Sequence, residues 1–215
     1  NPRTRLGALP AGQLTMGFAI LFTIAMSALF VVTAGMLNQL CFYLSLPVLV
    51  TLFGYSYTKR FTSFSHLVLG FAIGLSPLGA WLAIRGEFGL LPVLLSFTVM
   101  FWIAAFDIIY SCKDAEFDRT ENLFSMPSRW GIATALKVSS GLHIGTVLLL
   151  ILIAQIGALG VITYFGIGIV ATILYWEHQI VRPDDLSRVD VAFFNLNGYV
   201  SMLLFVAIGT DLLIT

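Results

Sequence analysis

Long unbroken apolar stretches dominate the chain. Seven of them, over roughly 13–34, 37–56, 66–84, 88–110, 132–156, 158–178 and 190–213, approach the ~20 residues a helix needs to cross the hydrocarbon core. None alternates apolar and polar residues as a membrane barrel strand does. Gly, Pro, Asn or charged clusters bound each stretch, as at helix ends. Internal residues such as Gly74, Pro77 and Gly79 do not interrupt a span, because neighbouring helices re-satisfy the backbone there. The pattern predicts an all-α, polytopic transmembrane helix bundle in which residues 1–215 form a single domain.

Composition agrees. Hydrophobic residues are 59% of the 215, charged residues 10%, and mean hydropathy is +0.96. Eleven basic and eleven acidic residues cancel. A disordered chain would need low hydrophobicity and high net charge. A nucleic-acid partner would call for a basic surplus. Two cysteines are too few for a disulfide scaffold.

The charges are unevenly placed. Threading seven spans puts 1–12, 57–65, 111–131 and 179–189 on one side of the membrane. That side carries or adjoins ten of the eleven Lys and Arg residues, leaving Arg85 opposite. The positive-inside rule makes it cytoplasmic. Nine of the eleven acids lie there too, all but Glu87 and Asp211. The expectation is a multi-pass protein of a bacterial-type inner or plasma membrane, with its chemistry facing the cytoplasm.

The densest polar segment is Asp107-Ile-Ile-Tyr110-Ser-Cys-Lys113-Asp114-Ala-Glu116-Phe-Asp118-Arg119. Continued as one α-helix at about 100° per residue, it sets Asp107, Asp114 and Asp118 on a single face, with Glu116 turned away. Like charges at such spacings repel. A cation between them relieves this, and oxygen donors without His or Cys favour Mg²⁺. A solvated acidic helix end, neutralised by Lys113, Arg119 and Arg129, is the plainer reading. Asp107 within an apolar span favours the functional one.

A second cluster runs Tyr55-Ser-Tyr57-Thr58-Lys59-Arg60-Phe-Thr62-Ser-Phe-Ser-His66, and a third is Arg3, Arg5 and Leu9-Pro-Ala-Gly. Either is a diphosphate clamp or a positive-inside stop with an interfacial aromatic belt. Carboxylates and cations on one face of an apolar bundle suit a substrate with a polar head and a hydrocarbon tail, such as a polyprenyl diphosphate.

These residues resemble a family. Asp107-x-x-Tyr110-x-x-x-Asp114-x-x-x-Asp118, followed by Ser125-Met-Pro127-Ser-Arg129-Trp-Gly131, resembles the second aspartate-rich motif of UbiA-type membrane prenyltransferases. Tyr57-Thr-Lys59-Arg60-Phe-Thr62 is similar to their Lys-Arg loop. Asn1-Pro-Arg3-Thr-Arg5 is similar to the segment after their first aspartate-rich motif. The likeness is greatest to the 4-hydroxybenzoate polyprenyltransferases. It implies transfer of a polyprenyl group from a polyprenyl diphosphate to an aromatic acceptor such as 4-hydroxybenzoate, in ubiquinone or menaquinone biosynthesis. It implies Mg²⁺ on Asp114 and Asp118, and Lys59, Arg60, Arg3 and Arg5 on the diphosphate. Tyr57 and Tyr110 would serve as hydrogen-bond donors or cation-stabilising rings. Asp107 would orient one of these groups, and Arg129 would hold an acceptor carboxylate or the loop, with 111–131 as a lid. The family's nine helices imply two further spans, ending in Asn-Asp-x-x-x-Asp, before Asn1. The alternative is a transporter or flippase of isoprenoid phosphates, though such carriers usually work at the bilayer midplane. A CDP-alcohol phosphotransferase would need an Asp-Gly-x-x-Ala-Arg segment that the chain lacks.

Other positions read more simply. His143 is expected to be a packing contact without an acidic neighbour, and Glu177 and His178 to mark a helix end. Arg182, Asp184, Asp185 and Arg188 are expected to form a solvated loop with internal ion pairs. Asn195, Asn197 and Ser201 are expected to hold helices together.

Overall fold

The computed structural model describes residues 4–214, so Arg3 lies outside the described residues. Seven membrane-length helical segments follow one another: α1 (Met16–Leu37), α2 (Gln39–Thr58), α3 (Ser65–Arg85), α4 (Leu90–Ser111), α7 (Ile132–Ile156), α8 (Val161–Ile180) and, after a π-helical turn Val191–Leu196, α9 (Asn197–Ile214). Between α4 and α7 lie a 3₁₀ turn Cys112–Asp114 and two short helices, α5 (Ala115–Thr120) and α6 (Met126–Trp130). All seven predicted spans are present, with ends shifted by a few residues.

Lipid supplies no hydrophobic drive between helices, so close packing and hydrogen bonds must hold the bundle. Helix α4 is its centre, with Ala104, Ala105, Ile108 and Ile109 fully buried. Against it α3 sets His66, Gly70 and Gly74, one turn apart and therefore on one face. A Cβ on Gly74 would lie 2.7 Å from the Ser96 carbonyl oxygen, and one on Gly70 would clash with the Met100 carbonyl oxygen. The two backbones therefore touch. Overpacking of this kind costs about 1–3 kcal/mol, whereas Gly79 has no neighbour within 4 Å. Gly70→Ala is expected to lower the thermal midpoint in detergent and Gly79→Ala to leave it level or raise it. Equal midpoints would refute the close approach.

Polar residues join the remaining elements. Asn38 caps α2 by accepting from the Cys41 N–H at 2.9 Å and donates to the Leu82 carbonyl at the far end of α3 at 2.8 Å. The Trp102 indole donates to Asn197 Oδ1 at 2.7 Å, tying α4 to α9. Asn197 thus acts as expected, in a class of bond worth about 0.6 kcal/mol on average. Helix α8 starts at Gly160, which has no side chain to cap it. Asp211 reaches over from α9 and accepts from the Thr163 N–H at 3.2 Å.

One expectation needs correcting. His143 does have an acidic neighbour: Glu177 Oε2 lies 3.9 Å from His143 Nδ1, with His178 Nε2 at 2.9 Å. Glu177 and His178 lie in the last turn of α8, as expected, and Glu177 is fully buried there. Both contacts follow from α7 packing against α8, which brings together groups 34 and 35 positions apart in the chain. The 182–188 loop turns on a hydrogen bond, with Asp185 Oδ1 accepting from the Ser187 N–H at 3.0 Å. The Ser187 hydrogen bonds hold the Asp185 carboxyl below its usual range, with lesser help from Arg188 and Arg182.

Candidate active site

At one end of the bundle the α2–α3 connection meets the segment between α4 and α7. Lys59, the residue that ends α2, makes both joints. Its Nζ lies 3.2 Å from Asp118 Oδ2, and its carbonyl accepts from the Phe124 N–H at 2.6 Å. Asp118 is 2% exposed and Asp114 7%. Exposed Glu116 faces the other way, as the spacing predicts. Burying a carboxylate is costly unless it is paired, so two buried within five residues mark a built site.

The route to this placement differs from a continuous helix. Helix α4 ends at Ser111, the 3₁₀ turn covers Cys112–Asp114, and α5 starts afresh at Ala115. The even 100° projection from Asp107 to Asp118 therefore fails beyond Ser111, because a 3₁₀ turn has 3.0 residues rather than 3.6. Asp114 and Asp118 still turn inward together. Asp107 instead engages His66 Nδ1 at 2.6 Å, a partner on α3 that lies 41 positions away in the chain.

The segment 111–131 is an ordered structure. Ser125 and Ser128 form a reciprocal capping box that starts α6, and Ser125, Met126, Pro127 and Ser128 are all buried. Asn122 turns the chain at φ 55°, a left-handed conformation Asn tolerates. Gly131 has φ 83° and ψ 153°, which only glycine adopts without strain, and it admits α7. Lys113 holds Asp190, just before the last span, through both carboxylate oxygens at 2.8 Å.

The other candidates stand as follows. Tyr110 is half-buried and stacks on Phe193 with centroids 4.1 Å apart; Phe194 lies at 6.0 Å, edge-on. Phe106 and Trp102 extend this aromatic wall down α4. Phe193 and Phe194 lie in the π-helical turn, a feature frequent at functional sites. The local sequence signal of this wall is the adjacent pair in Phe193-Phe194-Asn195. Arg60 is exposed, with its guanidinium 5.3 Å from the Tyr57 ring, and Arg129 lies 3.9 Å from the Phe124 ring. Among the described residues neither arginine forms an ion pair. Arg5 is exposed in the turns before α1. No three His, Cys, Asp or Glu residues among those described converge as a protein-only metal cage.

The chain is similar to known proteins in sequence and fold. The sequence pattern of the UbiA prenyltransferase family matches residues 1–199. The 4-hydroxybenzoate octaprenyltransferase of Aromatoleum aromaticum is 32% identical over 97% of this chain and 70% of its own length. That of Tolumonas auensis is 31% identical over 96% and 71%. The apo structure of a UbiA homolog from Aeropyrum pernix K1 superposes with a TM-score of 0.88 at 31% identity, covering 99% of this chain and 78% of that one. The chain belongs to the UbiA prenyltransferase family, whose members are membrane-embedded transferases of prenyl groups.

Proposed function

We propose that the chain transfers a polyprenyl group from a polyprenyl diphosphate to an aromatic acceptor such as 4-hydroxybenzoate, with Mg²⁺, at the cytoplasmic face of the membrane, in quinone biosynthesis. The observation that carries this reading is the burial of both Asp114 and Asp118, with Lys59 3.2 Å from Asp118, at one end of an apolar bundle. The names of the relatives support the donor and acceptor. The cytoplasmic orientation rests on the Lys and Arg distribution. Family membership does not favour the carrier alternative.

The donor set fits Mg²⁺. Two carboxylates are what Mg²⁺ takes when substrate phosphates supply further oxygens, and the neighbouring thiol of Cys112 is buried and turned to the Ile108 carbonyl at 3.4 Å. Held by Asp114 and Asp118, the ion would neutralise the diphosphate and make it a better leaving group. Lys59, Arg60, Arg5 and Arg3 would neutralise the remaining diphosphate oxygens. Tyr110 on its aromatic wall, and Tyr57, would face the allylic cation with ring π-density. Arg129 would hold the acceptor carboxylate or its own loop. The ordered segment 111–131 would keep water from the cation. A cavity of about 530 Å³ between α1, α2 and α3, lined by Phe30, Leu44, Val48, Phe71, Leu75 and Leu82 among others, has the apolar character an isoprenoid tail needs.

Incubating the full-length protein with a polyprenyl diphosphate, 4-hydroxybenzoate and Mg²⁺ is expected to yield the ring-prenylated acid by mass spectrometry. Chelation should lower the rate by about a hundredfold or more, since the ion supplies several kcal/mol, and added Mg²⁺ should restore it. Movement of isoprenoid phosphate between vesicle leaflets without any such product would overturn the reading.

A further inference from the structure

His66 and Asp107 form a pair that the diphosphate chemistry does not use. The His66 ring is fully buried at the start of α3, while the Asp107 side chain keeps 20% of its surface open. Their contact of 2.6 Å joins His66 Nδ1 to Asp107 Oδ2. His66 Nε2 is buried with no hydrogen-bond partner. A bare acceptor is tolerated in a protein interior better than an orphaned N–H. The proton therefore belongs on Nδ1, donated to the carboxylate. The backbone contact at Gly70 and Gly74 fixes α3 against α4 directly below the pair. Along α4, Asp107 stands one turn before Tyr110, and Asp114 follows beyond the end of α4, in the 3₁₀ turn. Tyr55 of α2 is a further titratable neighbour of Asp107.

We infer that His66 is a positioning residue for the acceptor: it occupies Oδ2 of Asp107 and leaves the other carboxylate oxygen to take the hydroxyl of a phenolic ring. The inference rests on the prenyl-transfer reading and extends it. The ring then lies against the Tyr110–Phe193 wall, between the carboxylate that holds its hydroxyl and the diphosphate end of the site. The allylic C–O bond breaks with its electron pair on the diphosphate. The ring carbon ortho to the hydroxyl forms the new C–C bond while the hydroxyl proton passes to Asp107. The resulting dienone loses its ring proton to the departing diphosphate and recovers the hydroxyl proton from Asp107. Charges and protons balance without any further reactant.

The test uses the full-length protein with Mg²⁺, a polyprenyl diphosphate and 4-hydroxybenzoate, and measures ring-prenylated acid and free prenol together. In His66→Leu the ratio of acid to prenol should fall about tenfold and the acceptor KM should rise, with the diphosphate KM within about twofold. His66→Asn, which keeps an N–H near the position of Nδ1, should recover most of the ratio. Asp107→Asn should mimic His66→Leu, and the double variant should be no worse than the single ones. Equal loss of acid and prenol in His66→Leu, or no recovery in His66→Asn, would overturn the inference. Should His66→Leu fail to fold, the ratio in His66→Asn and Asp107→Asn decides. If the wild-type protein makes no prenylated acid, the prenyl-transfer reading fails first and takes the inference with it.

Discussion

Replacing Asp118 by Asn in the full-length protein is expected to lower prenyl transfer by about a thousandfold or more while leaving the helices folded. Asn is nearly the same shape, so what changes is charge. Asp118 is 2% exposed and faces Lys59 at 3.2 Å. Its negative charge is available to a cation and to little solvent. An interaction developed where charge separates is worth most in such a water-poor place, and loss of one such group costs about 10²–10³ in rate. Loss of the proposed metal contact would add to that. The fold should suffer less. Removing one partner of a fully buried ion pair costs about 3–5 kcal/mol, but the Lys59 side chain is 33% exposed and water can take up its charge. Asp114→Asn should behave alike. Glu116→Gln, on the exposed side of the same short helix, should leave the rate unchanged. Product formation by mass spectrometry and a thermal midpoint in detergent decide it. An Asp118→Asn protein within tenfold of wild type would remove the carboxylate from the reaction.

The parts of this molecule that depend on chain-local physics could be read from the residues alone. Seven apolar runs become seven spans because a bilayer demands length and apolarity, and both are written consecutively. Asp114, Asp118 and Lys59 were legible because a charge beside an apolar span needs a reason. What stayed hidden depended on which helix packs against which. Asp107 pairs with His66, 41 positions away, and His143 with His178, 35 away. Nothing in the spacing announces either pair. The 3₁₀ turn at Cys112–Asp114 was invisible for another reason: Tyr110-Ser-Cys-Lys113 contains no Gly or Pro to mark a change of helix. The aromatic wall needed the π-helical turn to bring Phe193 and Phe194 to Tyr110, and such turns have no strong sequence signature.

Lys59→Met should lower the rate about a hundredfold, with the larger part of the loss in the diphosphate KM. Lys59 lies against buried Asp118, and the ammonium is a compact charge on a flexible stem. In the proposed reaction that stem would let it leave Asp118 for a phosphate oxygen when substrate arrives. Truncating one member of a close charge pair at a binding site costs about 2–5 kcal/mol, which spans the expected factor. Met keeps most of the stem and its packing, so a lost rate reports the charge rather than the shape. Lys59→Arg retains the charge but must seat a planar fork where Phe124 already closes on the Lys59 carbonyl at 2.6 Å, so only part of the rate should return. The combination with Asp118→Asn separates two roles. If Lys59 serves only to neutralise Asp118, removing both charges should be no worse than removing the aspartate. If Lys59 also grips the diphosphate, the double variant should bind that substrate more weakly than Asp118→Asn does. The second outcome is expected, read as the diphosphate KM of the residual activity. An unchanged KM would confine Lys59 to holding Asp118 in place.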